Sequence, residues 1–227
     1  MSITHEQRYS DSPYVETVTH GWTLSEGSTI RPAESNWHMV FVKAQGRTHS
    51  LVVGPLPTSG KVAWGAGAEI LWVKFKLGVF MPHIPVQDLL DSEKSLQEAA
   101  SKSFWLKSAA WELPDFENAD TFVNKLVRDE ILMLDPVVDA VLKDQLPDVS
   151  SRTMRHHFLR ATGLTRSRIF QMKQAQQART LLQQGVSILD TVYETGYFDQ
   201  PHLTRSLKQF IGYTPAQIAQ AGQNQPE

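Results

Sequence analysis

The side chains whose chemistry stands out in this 227-residue sequence are bases gathered in two short stretches. Arg152, Arg155, His156 and His157 form the first, and His202, Arg205 and Lys208 the second. A guanidinium can donate two parallel bonds to guanine O6 and N7, an imidazole can serve a purine N7, and an ammonium suits phosphate as a point charge. The same residue types also serve as plain solvated surface. The charge balance bears on the choice. Residues 150–227 carry nine lysines and arginines against four acids, net +5, whereas residues 1–149 carry thirteen against twenty, net −7. Such a split suggests one part that faces a polyanion and one that does not.

No comparable set supports catalysis. There is no cysteine, so a disulfide framework, a zinc–thiolate site and a thiol nucleophile are all excluded. His38, His49 and His83 are isolated, without the clustered imidazoles and carboxylates of a cupin-type metal site. Ser150-Ser151 and Asp115/Glu117 belong to no nucleophile motif, and Gly65-Ala66-Gly67 is too short for a phosphate loop and reads as a turn. The chain is therefore expected not to be an enzyme and to need no metal or cofactor. The polar start MSITHEQRYSDSPY lacks the order of a signal peptide, and no apolar run approaches the roughly 18 residues that span a bilayer. A soluble, cytoplasmic protein with no membrane partner is expected.

The elements that would carry these bases change character along the chain. Residues 37–43, 48–53 and 71–77 read as strands, with a hairpin turn at Gln45-Gly46-Arg47. In the last run Leu71, Val73, Phe75 and Leu77 share one face and Lys74 and Lys76 the other. Pro82 and Pro85 close this part. Residues 92–107 are rich in helix formers, 114–118 look like a break, and Phe122, Leu126, Ile131 and Leu134 lie roughly on one helical face. From Pro136 onward helix follows helix. The fold class expected is α+β: a β-rich, small barrel- or sandwich-like domain over 1–115, an all-α domain over 116–222, and a disordered tail over 223–227.

The helical part repeats itself. A shift of 49 residues lays Ser150–Thr165 over Asp199–Thr214, so that Met154 meets Leu203, Phe158 meets Leu207 and Gly163 meets Gly212. Each copy reads as N-cap, short helix and glycine stop. Upstream of the second copy, Ser187 to Asp190 resembles a capping box, and its helix runs to Thr195 before Gly196. Helix, glycine turn and helix is the layout of a helix-turn-helix, although plain two-helix hairpins share it. Between the copies, 165–184 make one long helix with Ile169, Met172, Ala175, Ala178, Leu181 and Leu182 as its apolar stripe and no acid among its charges.

The segments SSRTMRHHFLRATG, QARTLLQQG and SILDTVYETGYFDQPHLTRSLKQFIGYTPAQI together resemble the DNA-binding region of AraC/XylS-type bacterial transcription regulators. The resemblance covers about 116–220; the strand-rich part resembles the amino-terminal domain of one branch of that family more weakly. It implies two helix-turn-helix units joined by a long helix, with two recognition helices entering successive major grooves of double-stranded DNA. It also implies a regulatory or sensor role for the amino-terminal domain, which admits a small-molecule effector, a second copy of the chain and RNA polymerase as partners. The first unit departs from the pattern, with Pro147-Asp148 in place of the turn glycine and Asp139, Lys143 and Asp144 in a supporting helix expected over 136–146.

On this reading the base readers are Arg152, Arg155 and His156 in the first unit and Pro201, His202 and Arg205 in the second, just past each N-cap. Phosphate contacts are expected from Ser151, Thr165, Arg166, Arg168, Gln200, Thr204 and Lys208. Met154, Phe158, Leu203, Leu207, Phe210 and Ile211 are expected in the core. Trp37, Phe41, Trp64, Trp72 and Phe75 line an apolar ligand pocket or, alternatively, form the core of a small β domain. The competing reading is a cupin-like small-molecule-binding or enzymatic β domain joined to a helical protein-interaction module.

Overall fold

The computed structural model describes residues 3–100 and 102–223. In chain order its strands and helices are β1 (Ile3–Tyr9), β2 (Val15–Thr23), β3 (Gly27–Arg31), β4 (His38–Ala44), β5 (Arg47–Val53), β6 (Gly60–Trp64), β7 (Glu69–Phe75), β8 (Val79–Phe80), a single 3₁₀ turn (Val86–Leu89), β9 (Glu93–Leu96), β10 (Glu98–Ala100), β11 (Ser103–Leu106), β12 (Ala109–Glu112), α1 (Ala119–Arg128), β13 (Met133–Leu134), α2 (Pro136–Leu142), α3 (Ser151–Thr162), α4 (Arg166–Gln183), α5 (Ile188–Thr195), α6 (Gln200–Phe210) and α7 (Pro215–Gln223). The chain is thus α+β, strand-rich first and helical from α2 on. Of the tail expected over 223–227, only Gln223 lies among the described residues, as the last of α7.

Six strands form one antiparallel sheet in the order β1-β2-β7-β4-β5-β9. The period-two pattern of β7 does its expected work: Leu71, Val73 and Phe75 all point into the core. A bulge between Val15 and Thr17 brings Val15 and Val18 onto that same face, opposite Phe75 and Val73. Phe104 and Leu106 of the three-stranded β10-β11-β12 sheet and Phe122, Val123 and Leu126 of α1 belong to the same cluster. Phe104 meets Phe41 and Phe122 with ring centroids 5.6 and 6.2 Å apart, in tilted and edge-on geometry.

Within 92–107, residues 93–96, 98–100 and 103–106 are strands, not the helix that the composition suggests. Glu93–Leu96 extend the large sheet by pairing with Ser50–Val53, and Ser103–Leu106 pair with β12. Phe104 and Leu106 then alternate into the core with Trp105 outward. Pairing with a formed edge outweighs a weak helix propensity.

The chain divides into two compact units. One comprises Met1–Gly27, Asn36–Pro55 and Ala63–Thr165; the other comprises Ser28–Ser35, Leu56–Val62 and Arg166–Glu227. Residues on both sides of the expected 115/116 boundary lie in the first unit, because the buried face of α1 completes the core of the sheet. Phe122→Ala should accordingly destabilise the strand-rich part by about 3–5 kcal/mol, the usual loss for an aromatic removed from a core, read as a lower urea midpoint.

Candidate nucleic-acid interface

The first helix pair is built on one carboxylate. Asp135 has no solvent exposure and is the N-cap of α2, accepting from Val137 and Val138 N at 3.0 and 3.2 Å. Pro136 follows at the first helical position, where its missing N–H costs nothing. Two side chains of α3 reach the same carboxylate: His157 Nδ1 at 2.8 Å and Arg160 Nη2 at 2.6 Å. Arg160 also lies over the Phe80 ring, 5.0 Å from its centroid. Burial by itself would raise the Asp135 pKa, but the bonds from His157, Arg160 and Val138 outweigh it and hold the carboxyl below its ordinary value.

The supporting helix α2 stops at Leu142, short of the expected 146, with Asp144 in the left-handed region at φ 58°. Its connection to α3 occupies 143–150, and Leu146 stands in it 90% exposed. Ser150 caps α3 by accepting from Thr153 N at 3.1 Å. Gly163 ends the helix at φ 69°, and a Cβ there would come within 3.1 Å of Leu90. Phe158, Ala161 and Thr162 face inward. Ser151, Arg152, Arg155 and His156 are exposed, and among the described residues Arg152 and Arg155 make no ion pair. Met154, expected in the core, is half-buried.

In the second unit α4 runs 18 residues and buries Ile169, Met172, Ala175, Ala178 and Leu182, the stripe read from the sequence. At about 1.5 Å per residue it is about 27 Å long. Ser187 caps α5 through Asp190 N and donates to the Asp190 carboxylate at 2.6 Å, and Gly196 closes α5 at φ 70°. The connection to α6 is only 196–199. It is fixed by Tyr197, whose hydroxyl bonds Ser206 at 2.7 Å; burial raises the phenol's pKa, an effect the Ser206 bond partly offsets. Asp199 caps α6 through His202 N at 2.7 Å. Leu203, Leu207, Phe210 and Ile211 are buried as expected.

The outward side of α6 presents Gln200, Pro201, His202, Arg205 and Lys208 to solvent, with Thr204 half-buried. The His202 ring stands edge-on to Tyr197 at 5.0 Å, which holds it beside the helix start. The Thr204 hydroxyl donates to the Gln200 carbonyl at 2.9 Å, leaving its lone pairs outward. Arg205 and the Lys208 ammonium make no ion pair among the described residues. The other expected phosphate contacts differ in kind. Thr165 is half-buried immediately before α4, and Arg166 packs over the exposed Phe170 at 5.2 Å. Arg168 turns inward, donating to the Pro57 carbonyl at 2.7 Å and lying 4.4 Å from the Phe210 ring centroid.

Two amino-terminal segments belong to this unit and hold the carboxyl end of α6. Ala33 N and Ser59 N donate to the Phe210 and Gln209 carbonyls at 2.6 and 2.8 Å, and the Ser59 hydroxyl lies 3.2 Å from the Lys208 carbonyl. They answer carbonyls that a helix end leaves without partners. A Cβ on Gly212, at φ 89°, would come within 2.4 Å of Ile30. Sequence reading gave no sign of these segments, nor of Asp135 and Arg160, although Asp before Pro at a helix start is a recognised N-cap signal.

The five aromatics expected to line a pocket do not share one site. Trp37, Phe41 and Phe75 are in the core, with Trp37 stacked on Phe75 at 4.1 Å and donating to the Val79 carbonyl at 2.7 Å. Trp72 lies on the opposite face of β7, and Trp64 ends β6 against Gly27. Phe41 alone of the five lines the 170 Å³ cavity that also touches His20, Leu71 and Phe116.

Residues 148–221, from the approach to α3 through most of α7, match the family model for a helix-turn-helix domain. No curated protein and no solved structure matches the chain.

The Asp135 cluster has a pH signature. Its lowered pKa means that the carboxylate's contribution is present in full above the unfolded value near 3.9 and is lost as pH falls through the folded value. Asp135→Asn should remove that acid-side dependence and cost about 1–3 kcal/mol at neutral pH, since it weakens the bonds from His157 and from the partly exposed Arg160, both measurable by urea unfolding across pH.

Proposed function

With residues 148–221 forming an AraC-type helix-turn-helix domain, which makes this chain a DNA-binding transcription regulator, we propose that it binds specific duplex sequences through two recognition helices, α3 and α6, each placed in a major groove. The observation that carries the reading is the state of the cations on those helices. Arg152, Arg155, Arg205 and Lys208 project from N-capped helices and are spent on no internal partner among the described residues. His156, Pro201 and His202 complete the set of base readers. Ser151, Gln200 and Thr204 with Lys208 take phosphates, joined by Thr165 and Arg166 at the start of α4. Arg168 serves the unit's own packing. The DNA-contacting part is the stretch of 116–222 that follows α1, and the β-rich part is regulatory, open to an effector, a second copy or RNA polymerase. A cytoplasmic, non-enzymatic regulator is the form this takes. Among the described residues no helix is long and apolar enough to cross a membrane.

The two units differ in how firmly they hold their reading helix. The 196–199 connection is short and pinned by Tyr197, whereas 143–150 is longer and carries Asp144 and Asp148, which repel phosphate. The α6 half of the site is therefore read more strictly.

DNA selection with the purified chain, followed by a base-by-base scan of the selected site, tests this. Arg205→Ala and Arg155→Ala should each lose about 1–3 kcal/mol of discrimination at one or two positions. Lys208→Ala should weaken all sequences alike and flatten the salt slope by about one. An unchanged motif in Arg205→Ala removes Arg205 as a base reader, and equal penalties in both halves remove the asymmetry.

A further inference from the structure

Between α3 and the segment that follows β8 lies a cavity of about 440 Å³, of whose lining the DNA reading uses only His156. Its walls are Phe80 of β8, the following Met81, Pro82, Pro85 and Val86, Met133 of β13, and Leu159 of α3. Small-molecule sites run from about 300 to 1,000 Å³ and combine an apolar lining with a few polar groups, and this cavity has that make-up. The polar groups on its lining are Gln87, His156 and Arg160, with no carboxylate among the described residues that line it. Arg160 is held at one edge by the Phe80 ring at 5.0 Å and by Asp135 at 2.6 Å. Among the described residues its guanidinium makes no other hydrogen bond, so donors beyond Nη2 remain for a ligand. Met133 leaves 46% of its surface in solvent at the same cavity, an apolar side chain that a ligand would cover.

We propose that this cavity binds a small amphipathic anion, an aliphatic or aromatic body carrying one carboxylate. The body lies between Phe80, Met81, Val86 and Leu159, and the carboxylate meets the Arg160 guanidinium, with His156 and Gln87 at the rim. Apolar burial supplies the affinity and the charge-assisted bond fixes the orientation. His156 stands both at this rim and among the base readers, so an occupied cavity changes what α3 offers to DNA. That last consequence rests on the reading of α3 as a recognition helix; the ligand site itself does not.

The test is calorimetric titration of the full chain, without DNA, using decanoate and decanol as probes. Decanoate should bind saturably and decanol about tenfold more weakly, because only the former engages the guanidinium. Gln87 is exposed on the 3₁₀ turn, so changing it leaves the fold intact. Gln87→Glu should weaken decanoate about fivefold while leaving decanol within about twofold, and Gln87→Lys should strengthen decanoate, as a single rim charge requires. Leu159→Trp, which fills the cavity, should abolish both, with circular dichroism confirming that the helices persist. No saturable heat with decanoate, binding that survives Leu159→Trp in a folded chain, or equal binding of the two probes with no response to charge at position 87 would each overturn the proposal. DNA affinity measured without decanoate tests the other reading, so each can fail alone.

Discussion

A carboxylate sealed from solvent must find donors inside the protein or give up its charge, and Asp135 finds four: two backbone N–H groups of α2, an imidazole and a guanidinium of α3. The Asp135 N–H meanwhile donates to the Gly78 carbonyl at 2.9 Å, beside β8. One residue thus starts α2, sets the face that α3 turns toward it and ties both helices to the strand that precedes them. The geometry leaves little choice to α3. His157 and Arg160 are three residues apart and share a face, so fixing both at Asp135 fixes the helix rotation about its axis. Arg152 and Arg155, which make no ion pair among the described residues, are outward because of that constraint.

The second unit solves the same problem with different means. Here no fully buried carboxylate faces α6 among the described residues, and the half-buried Arg168 packs against its Phe210. The buried Tyr197–Ser206 bond holds its front, and donors from residues 33 and 59 hold its carboxyl end. Segments from the strand-rich half of the sequence therefore belong to the frame of α6. A change that shifted residues 28–35 or 56–62 would move the last turn of α6 directly, without passing along the chain between them.

What the sequence made legible was local. Ser150, Ser187 and Asp199 as caps, with Gly163 and Gly196 as stops, are features in which residue type and backbone geometry are tied within three or four positions, and each stands where its pattern placed it. The alternation of Leu71, Val73 and Phe75 was as readable, for the same reason. What stayed hidden depends on distance along the chain. Asp135 meets partners 22 and 25 residues away, and Ser59 meets helix carbonyls 149 and 150 residues on, so no spacing betrays either. Residues 93–96 misled for a related reason: their helix-forming composition is a weak local preference, whereas the strand edge they complete, Ser50–Val53, lies 40 or more residues away.

The hardest distinction to draw from sequence is among arginines. Those on α3 and the start of α4 are equally basic and all contribute to the positive balance of the last third, yet they do different things. Arg160 gives one donor, Nη2, to a buried aspartate, and Arg168 is half-buried against Phe210 with a backbone carbonyl as acceptor; burial lowers its pKa from the ordinary value. Diverting Arg160 to a phosphate would take one of four donors from the buried Asp135, and diverting Arg168 would take one from the half-buried Pro57 carbonyl, each a loss of about 1–3 kcal/mol that the new contact must first offset. Arg152, Arg155 and Arg205 make no ion pair among the described residues, so they could turn to a phosphate or a base without breaking one. On the proposed reading, the charge available to DNA is therefore smaller than the count of basic residues, because Arg160 and Arg168 are engaged inside the protein.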